Sequence, residues 1–137
     1  MNFIIIYNPM AGHDCHSLIA EIETALKSGG YNVILEETKY KGHSTEIARK
    51  YSNSEDNIII SCGGDGTIHE VANGMAKGSA SLLPLPLGTG NDFCRKLYGK
   101  TDAKEIAKQF GLLSGNPTFI PKPADLISIN DFWCINV

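Results

Sequence analysis

The chain has 137 residues, 42% hydrophobic and 20% charged, a balance that builds one folded domain with a sizeable core and excludes a disordered chain. A net charge of −3 with no run of lysine or arginine excludes an electrostatic nucleic-acid binder. Four widely spaced cysteines, no Cys-x-x-Cys pair and no secretory leader fit reduced, buried thiols in a cytoplasmic protein, and the apolar start MNFIIIYNP is too short to span a bilayer, so any membrane contact is expected to be peripheral.

Short β-branched runs alternate with helical patterns along the chain. Residues 2–7 (NFIIIY) read as a fully buried strand. Leu18, Ile22, Ala25 and Leu26 then recur at helical spacing, and Gly29-Gly30 end that helix after Lys27 in its last turn. Residues 31–37 (YNVILEE) predict a second strand. A short helix is expected from about Ser44, read as its N-cap, to Tyr51, with Glu46 in the first turn. Residues 57–61 (NIIIS) predict a third strand, and Ile68, Val71, Ala72, Met75 and Ala76 form the stripe of a helix over 68–77.

Residues 81–86 (SLLPLP) read as a fourth extended segment made irregular by its prolines. A short helix near 93–98 follows, then one over 102–113 that opens on Asp102 and Glu105, a capping-box-like pair. DLISI and FWCINV face each other across Asn130-Asp131 as a hairpin. Strands separated by helices make this an α/β fold with a mostly parallel sheet, Rossmann-like and three-layered.

In such sheets ligands bind at the carboxyl ends of strands. Three connections there are chemically unusual: NPMAG (8–12), GGDGT (63–67) and LGTGNDF (87–93). Glycine removes the Cβ that would keep an anion from the backbone amides, and a following helix N-terminus adds aligned donors and about half a positive charge. Gly63, Gly64, Gly66 and Thr67 are therefore a candidate phosphate cradle. An acid in its middle, Asp65, repels phosphate unless a cation lies between them, which points to Mg²⁺. In isolation an Asp-Gly is ordinarily a cap or a turn; three glycines and a preceding buried strand shift the reading toward a site.

Asn91-Asp92 places a second carboxylate beside glycines, where an Asx-turn or helix cap is an equally good account. Gly88-Thr89-Gly90 is no dinucleotide fingerprint, because Phe93 stands where a third glycine belongs, and no Gly-x-x-x-x-Gly-Lys-Ser/Thr occurs. His13, His16, His43 and His69 share no metal-ligand spacing, and His13 and His16 read as solvated loop and helix start. Ser61 and Ser79 lack a nucleophile-elbow context.

NPMAG, GGDGTIHEVANG and PLGTGNDF, in this order and spacing, resemble the catalytic domain of diacylglycerol kinases and related bacterial lipid kinases, a superfamily that includes sphingosine kinases and NAD kinases. The resemblance covers nearly the whole chain. It implies that Asn8, Pro9, Met10, Ala11 and Gly12 form a first nucleotide loop, with Thr38 on the same ligand. It implies that Gly64 to Glu70 hold the ATP phosphates, joined by Thr89 and Asn91. Asp65 and Asp92 would be the catalytic acids that organise Mg²⁺ and the transferring phosphoryl group, and Asp125 a further acid of the metal network.

The reaction so implied moves the γ-phosphoryl group of ATP to the hydroxyl of diacylglycerol or a similar lipid at a membrane surface, with no nucleic acid involved and a homodimer compatible with it. Two features depart from the family pattern. His13 follows Gly12 where Lys or Arg is frequent, and the β-rich second domain with its lipid cleft and carboxylate base lies outside this sequence, so the chain is expected to be the N-terminal nucleotide-binding half. An NAD kinase-like enzyme, a sphingoid-base kinase-like enzyme and a non-catalytic nucleotide-binding module are the alternatives. The 87–93 loop argues against the first and Asp92, where sphingosine kinases tend to carry Ala, against the second.

Overall fold

The structure is a computed structural model that describes the backbone of all residues except 12, 124, 130, 131 and 137, and the side chains of residues 1–11 and 14–123. Its centre is a parallel sheet of β1 (Asn2–Tyr7), β2 (Asn32–Glu37), β3 (Asn57–Gly63) and β4 (Ser81–Pro86) in the order β2-β1-β3-β4. The helices are α1 (His13–Ser28), α2 (His43–Tyr51), α3 (Asp65–Met75), α4 (Asp92–Tyr98) and α5 (Ala103–Gln109). β5 (Asp125–Ile129) and β6 (Phe132–Asn136) form a separate antiparallel pair.

Alternation along the isoleucine runs builds the layers, since successive side chains in a strand face opposite ways. Phe3, Ile5, Ile58 and Ile60 point to one face, where Leu18, Ile22 and Leu26 of α1 and Ile106 and Ala107 of α5 cover them. Ile4, Ile6 and Ile59 point to the other, against Ile47 and Ala48 of α2 and Val71 of α3. The sheet is thus sandwiched between helices, as the sequence predicts. From β1 the chain steps outward to β2, then returns to the other side of β1 as β3, so the strand order reverses between β1 and β3. The crevice above that switch point is where open α/β sheets bind ligands. Tyr7 and Cys62 are register partners there, so the loops leaving β1 and β3 start side by side.

Several boundaries differ from the predicted ones. α2 starts at His43 behind Gly42 (φ 90°), and Ser44 is buried inside the helix instead of capping it. α3 starts at Asp65, before the apolar stripe, because glycines contribute nothing to a hydrophobic pattern. α5 ends at Gln109, with Gly111 at φ 74° soon after, and the predicted cap holds: Asp102 accepts the Glu105 amide at 3.0 Å. β4 is a regular ladder partner of β3 despite Pro84 and Pro86. It lies at the sheet edge, where a missing N–H leaves no partner unserved. Cys15, Cys62 and Cys94 are buried and free, as expected; Cys134 lies outside the described side chains.

Candidate active site

The first loop is closed on itself. The Asn8 side chain accepts the Met10 amide at 2.9 Å and the Asn8 carbonyl accepts the Ala11 amide at 3.0 Å, so neither amide is available to a ligand. Pro9 is fixed from the helix behind it: His16 Nε2 lies 2.9 Å from the Pro9 carbonyl, which can only accept, so this nitrogen carries the hydrogen. The His16 ring also packs edge-on against Tyr7 at 6.0 Å, and the Tyr7 hydroxyl donates to Glu37 at 3.0 Å. His16 lies in the first turn of α1 as expected, but as a half-buried anchor of the loop, so only the expectation of solvation is corrected. Thr38 stands beside this loop, its amide donating to the Tyr7 carbonyl at 2.9 Å. Gly12 lies outside the described residues.

The second loop leads into an open helix end. Gly64 is the N-cap of α3 in extended conformation, and among the described residues no side chain bonds to the first-turn amides. The amides of Asp65, Gly66 and Thr67 thus have no partner inside the helix. The Thr67 side chain folds back over Gly63, where a Cβ would lie 2.5 Å from its Oγ1. Among the described residues, and apart from its chain neighbours and the backbone of its own helix turn, no atom lies within 4 Å of where a Gly66 Cβ would sit, so the first turn faces open space. Glu70 turns away from this opening: its Oε1 accepts the Gly42 amide at 3.0 Å and its carbonyl accepts the Thr45 hydroxyl at 2.8 Å, tying α3 to the start of α2.

The third loop lies on the second. The Leu87 amide donates to the Gly63 carbonyl at 3.0 Å, and a Cβ on Gly88 would overlap the Gly64 Cα and come within 2.6 Å of the Gly64 nitrogen. Asn91 adopts φ 56° and locks the turn, its Oδ1 accepting the Gly88 amide at 3.1 Å and its Nδ2 donating to the Gly88 carbonyl at 2.9 Å. Thr89 is exposed on the rim of this loop.

Asp65 joins the two loops. Its Oδ2 accepts the Asp92 amide at 3.0 Å and its Oδ1 the Phe93 amide at 2.9 Å. The Phe93 amide is the chief cause that holds the Asp65 carboxyl below its ordinary value of 3.8; burial, the next largest influence, opposes it, and the Asp92 amide, His69 and Arg95 add to the lowering. Asp92 is different: its side chain is 76% exposed, with Oδ1 paired to Arg95 Nη1 at 2.7 Å. Arg95 also donates to the Gly90 carbonyl at 3.2 Å.

The model of the diacylglycerol kinase catalytic domain family matches residues 2–118. A diacylglycerol kinase of Bacillus subtilis is 32% identical over 137 residues, 97% of this chain and 43% of that relative. One from Staphylococcus epidermidis is 36% identical over 101 residues, 72% of this chain and 32% of the relative. The crystal structure of a diacylglycerol kinase from Bacillus anthracis superposes with a TM-score of 0.76 at 30% identity, over 96% of this chain and 45% of that one. The chain belongs to the diacylglycerol kinase catalytic domain family. It spans less than half the length of these relatives.

In this family domain the residues singled out in the sequence meet at one end of the sheet, except Glu70, whose carboxylate is committed to α2, and Asp125 and Gly12, whose side chain or backbone lies outside the described residues. Two residues were missed. Arg95 had a legible signal, since it stands three positions after Asp92 on a helix, the spacing at which opposite charges pair. His16 had none, because its partner is a loop carbonyl seven residues earlier.

Proposed function

We propose that this domain is the nucleotide-binding half of an ATP- and Mg²⁺-dependent lipid kinase that transfers the γ-phosphoryl group to the hydroxyl of diacylglycerol or a similar lipid at a membrane surface. The observation that carries this reading is the uncapped N-terminus of α3 at the switch point between β1 and β3. Its first-turn amides and the positive helix end suit a phosphate chain, and glycine at 64 and 66 lets that chain approach the backbone. The relatives from Bacillus subtilis and Staphylococcus epidermidis are diacylglycerol kinases, which agrees with it.

The residues fit a divalent cation shared with the phosphates. Mg²⁺ is usually held by one or two carboxylates together with substrate oxygens. Among the described residues no group of three or more His, Cys, Asp or Glu could hold a metal alone, while Asp92 exposes a carboxylate at the mouth of the second and third loops. When bound, the cation neutralises charge on the transferring phosphoryl group. The chain's own part is to seat the phosphates on α3, to hold the first loop and Thr38 beside them, and to keep the Asp92 carboxylate at that mouth. Among the described residues no helix is long and apolar enough to cross a membrane.

Calorimetric titration with ADP and ATP, with and without Mg²⁺, tests the reading. Binding that Mg²⁺ strengthens is expected, followed by phosphorylation of diacylglycerol in vesicles by a protein that carries the remaining length of the relatives. No binding at millimolar nucleotide sinks the proposal.

A further inference from the structure

Asp65 and Asp92 sit at the same junction, yet their oxygens are differently employed. α4 cannot cap itself: its N-cap Asn91 is left-handed, makes no side-chain cap bond, and spends its amide on Gly88. The first-turn amides of Asp92 and Phe93 therefore need acceptors from elsewhere. Asp65, 27 and 28 residues earlier, supplies one oxygen to each. Both bonds are charge-assisted, and the positive end of α4 favours the carboxylate. Immediately before Asp65 the backbones of Gly64 and Gly88 are in contact, so the carboxylate completes a junction that main-chain packing begins.

We propose that Asp65 is a positioning residue and not a cation ligand: it caps α4 from outside the helix and holds the 87–93 loop, with the Asp92 carboxylate on it, against the open N-terminus of α3. A cation placed on the two Asp65 oxygens would face two N–H groups and the positive end of a helix, with Arg95 nearby. Asp92 carries the exposed carboxylate, with Oδ1 on Arg95 and Oδ2 in no hydrogen bond or ion pair among the described residues. The consequence for nucleotide rests on the function proposed above; the clamp itself does not.

Amide hydrogen exchange on the ligand-free protein tests the clamp. Asp65→Ala is expected to speed exchange at the Asp92 and Phe93 amides by about fivefold or more, the scale of a lost helix cap. Asp65→Asn keeps one acceptor and should fall between. In ADP titrations Asp65→Asn is expected to weaken binding by the same factor with and without Mg²⁺, leaving the Mg²⁺ enhancement ratio unchanged, whereas Asp92→Asn collapses that ratio.

Unchanged exchange in both Asp65 variants overturns the clamp. A collapsed Mg²⁺ ratio in Asp65→Asn, with exchange as in the parent chain, returns Asp65 to the cation. If the parent chain binds no ADP under either condition, the nucleotide reading fails, and exchange still decides the clamp.

Discussion

Two helices begin within a few ångströms of one another in this site, and they treat their N-termini in opposite ways. α3 starts behind Gly64 with no side-chain cap, leaving its first amides to whatever enters the crevice. α4 starts behind Asn91 and has its first amides taken by Asp65. One helix end is open and the other is filled from within the protein. One residue belongs to both ends: Asp65 is the first residue of the open helix and caps the closed one. Unmet donors at a helix end cost free energy unless water or a ligand serves them. An end left open at a switch point is therefore the one to suspect of binding.

The junction between the two ends should be the most sensitive point. Gly88→Ala puts a methyl onto the Gly64 backbone, which has no flexible side chain to move aside. We expect a loss of about 1–3 kcal/mol in unfolding free energy by denaturant titration. Nucleotide affinity should fall as well, because the second and third loops can no longer touch. Gly90→Ala is the control in the same loop. Its Cβ would rest 3.7 Å from Asp65 Oδ2, an ordinary contact, and stability should stay within about 0.5 kcal/mol.

Acidification separates the two ends next. The Asp65 carboxyl is held below its ordinary value in the folded protein, chiefly by the Phe93 amide, so near that value the unfolded chain binds more protons. The stabilisation is then fully present above the ordinary carboxylate range and is lost as pH falls through it toward the folded value. Asp65→Asn is expected to cost about 1 kcal/mol at neutral pH, a typical cap contribution. The gap to the parent chain should shrink as pH drops from 5 to 3. A gap that stays constant over that interval would mean that the carboxylate charge has no part in capping α4.

The open end was far more legible in the sequence than the closed one. Isoleucine runs, the α1 stripe and the Asp102 cap follow local periodicity, and three glycines after a buried strand mark a backbone approach within five residues. The approach to α3 was marked by its glycines, but its first helical residue was not, because Gly64 and Gly66 carry no apolar pattern; the start of α2 was hidden because its cap is a left-handed Gly42 while Ser44 is buried. The cap of α4 is non-local. Nothing in the order of residues 63–67 and 87–93 states that an acid in one stretch bonds two amides in the other. The His16 anchor is hidden for the same reason, since a carbonyl partner leaves no trace in residue type.

The smallest expected change in stability is also the most specific probe of the open end. Gly66 is the second residue of α3, and among the described residues an added methyl meets no atom within 4 Å outside its chain neighbours and its own helix backbone. Alanine is a better helix former than glycine, so Gly66→Ala should raise stability by about 0.5 kcal/mol or leave it unchanged. Its methyl nevertheless stands in the first turn, beside the amides that a phosphate chain would need to approach closely. Nucleotide affinity should therefore fall on the order of tenfold in a protein that is no less stable, a cost of about 1.4 kcal/mol in binding alone. Equal affinity in a folded Gly66→Ala protein would place the phosphates away from this turn. A loss matched by Asp65→Asn in exchange rates at α4 would instead mean that the two helix ends cannot be perturbed separately.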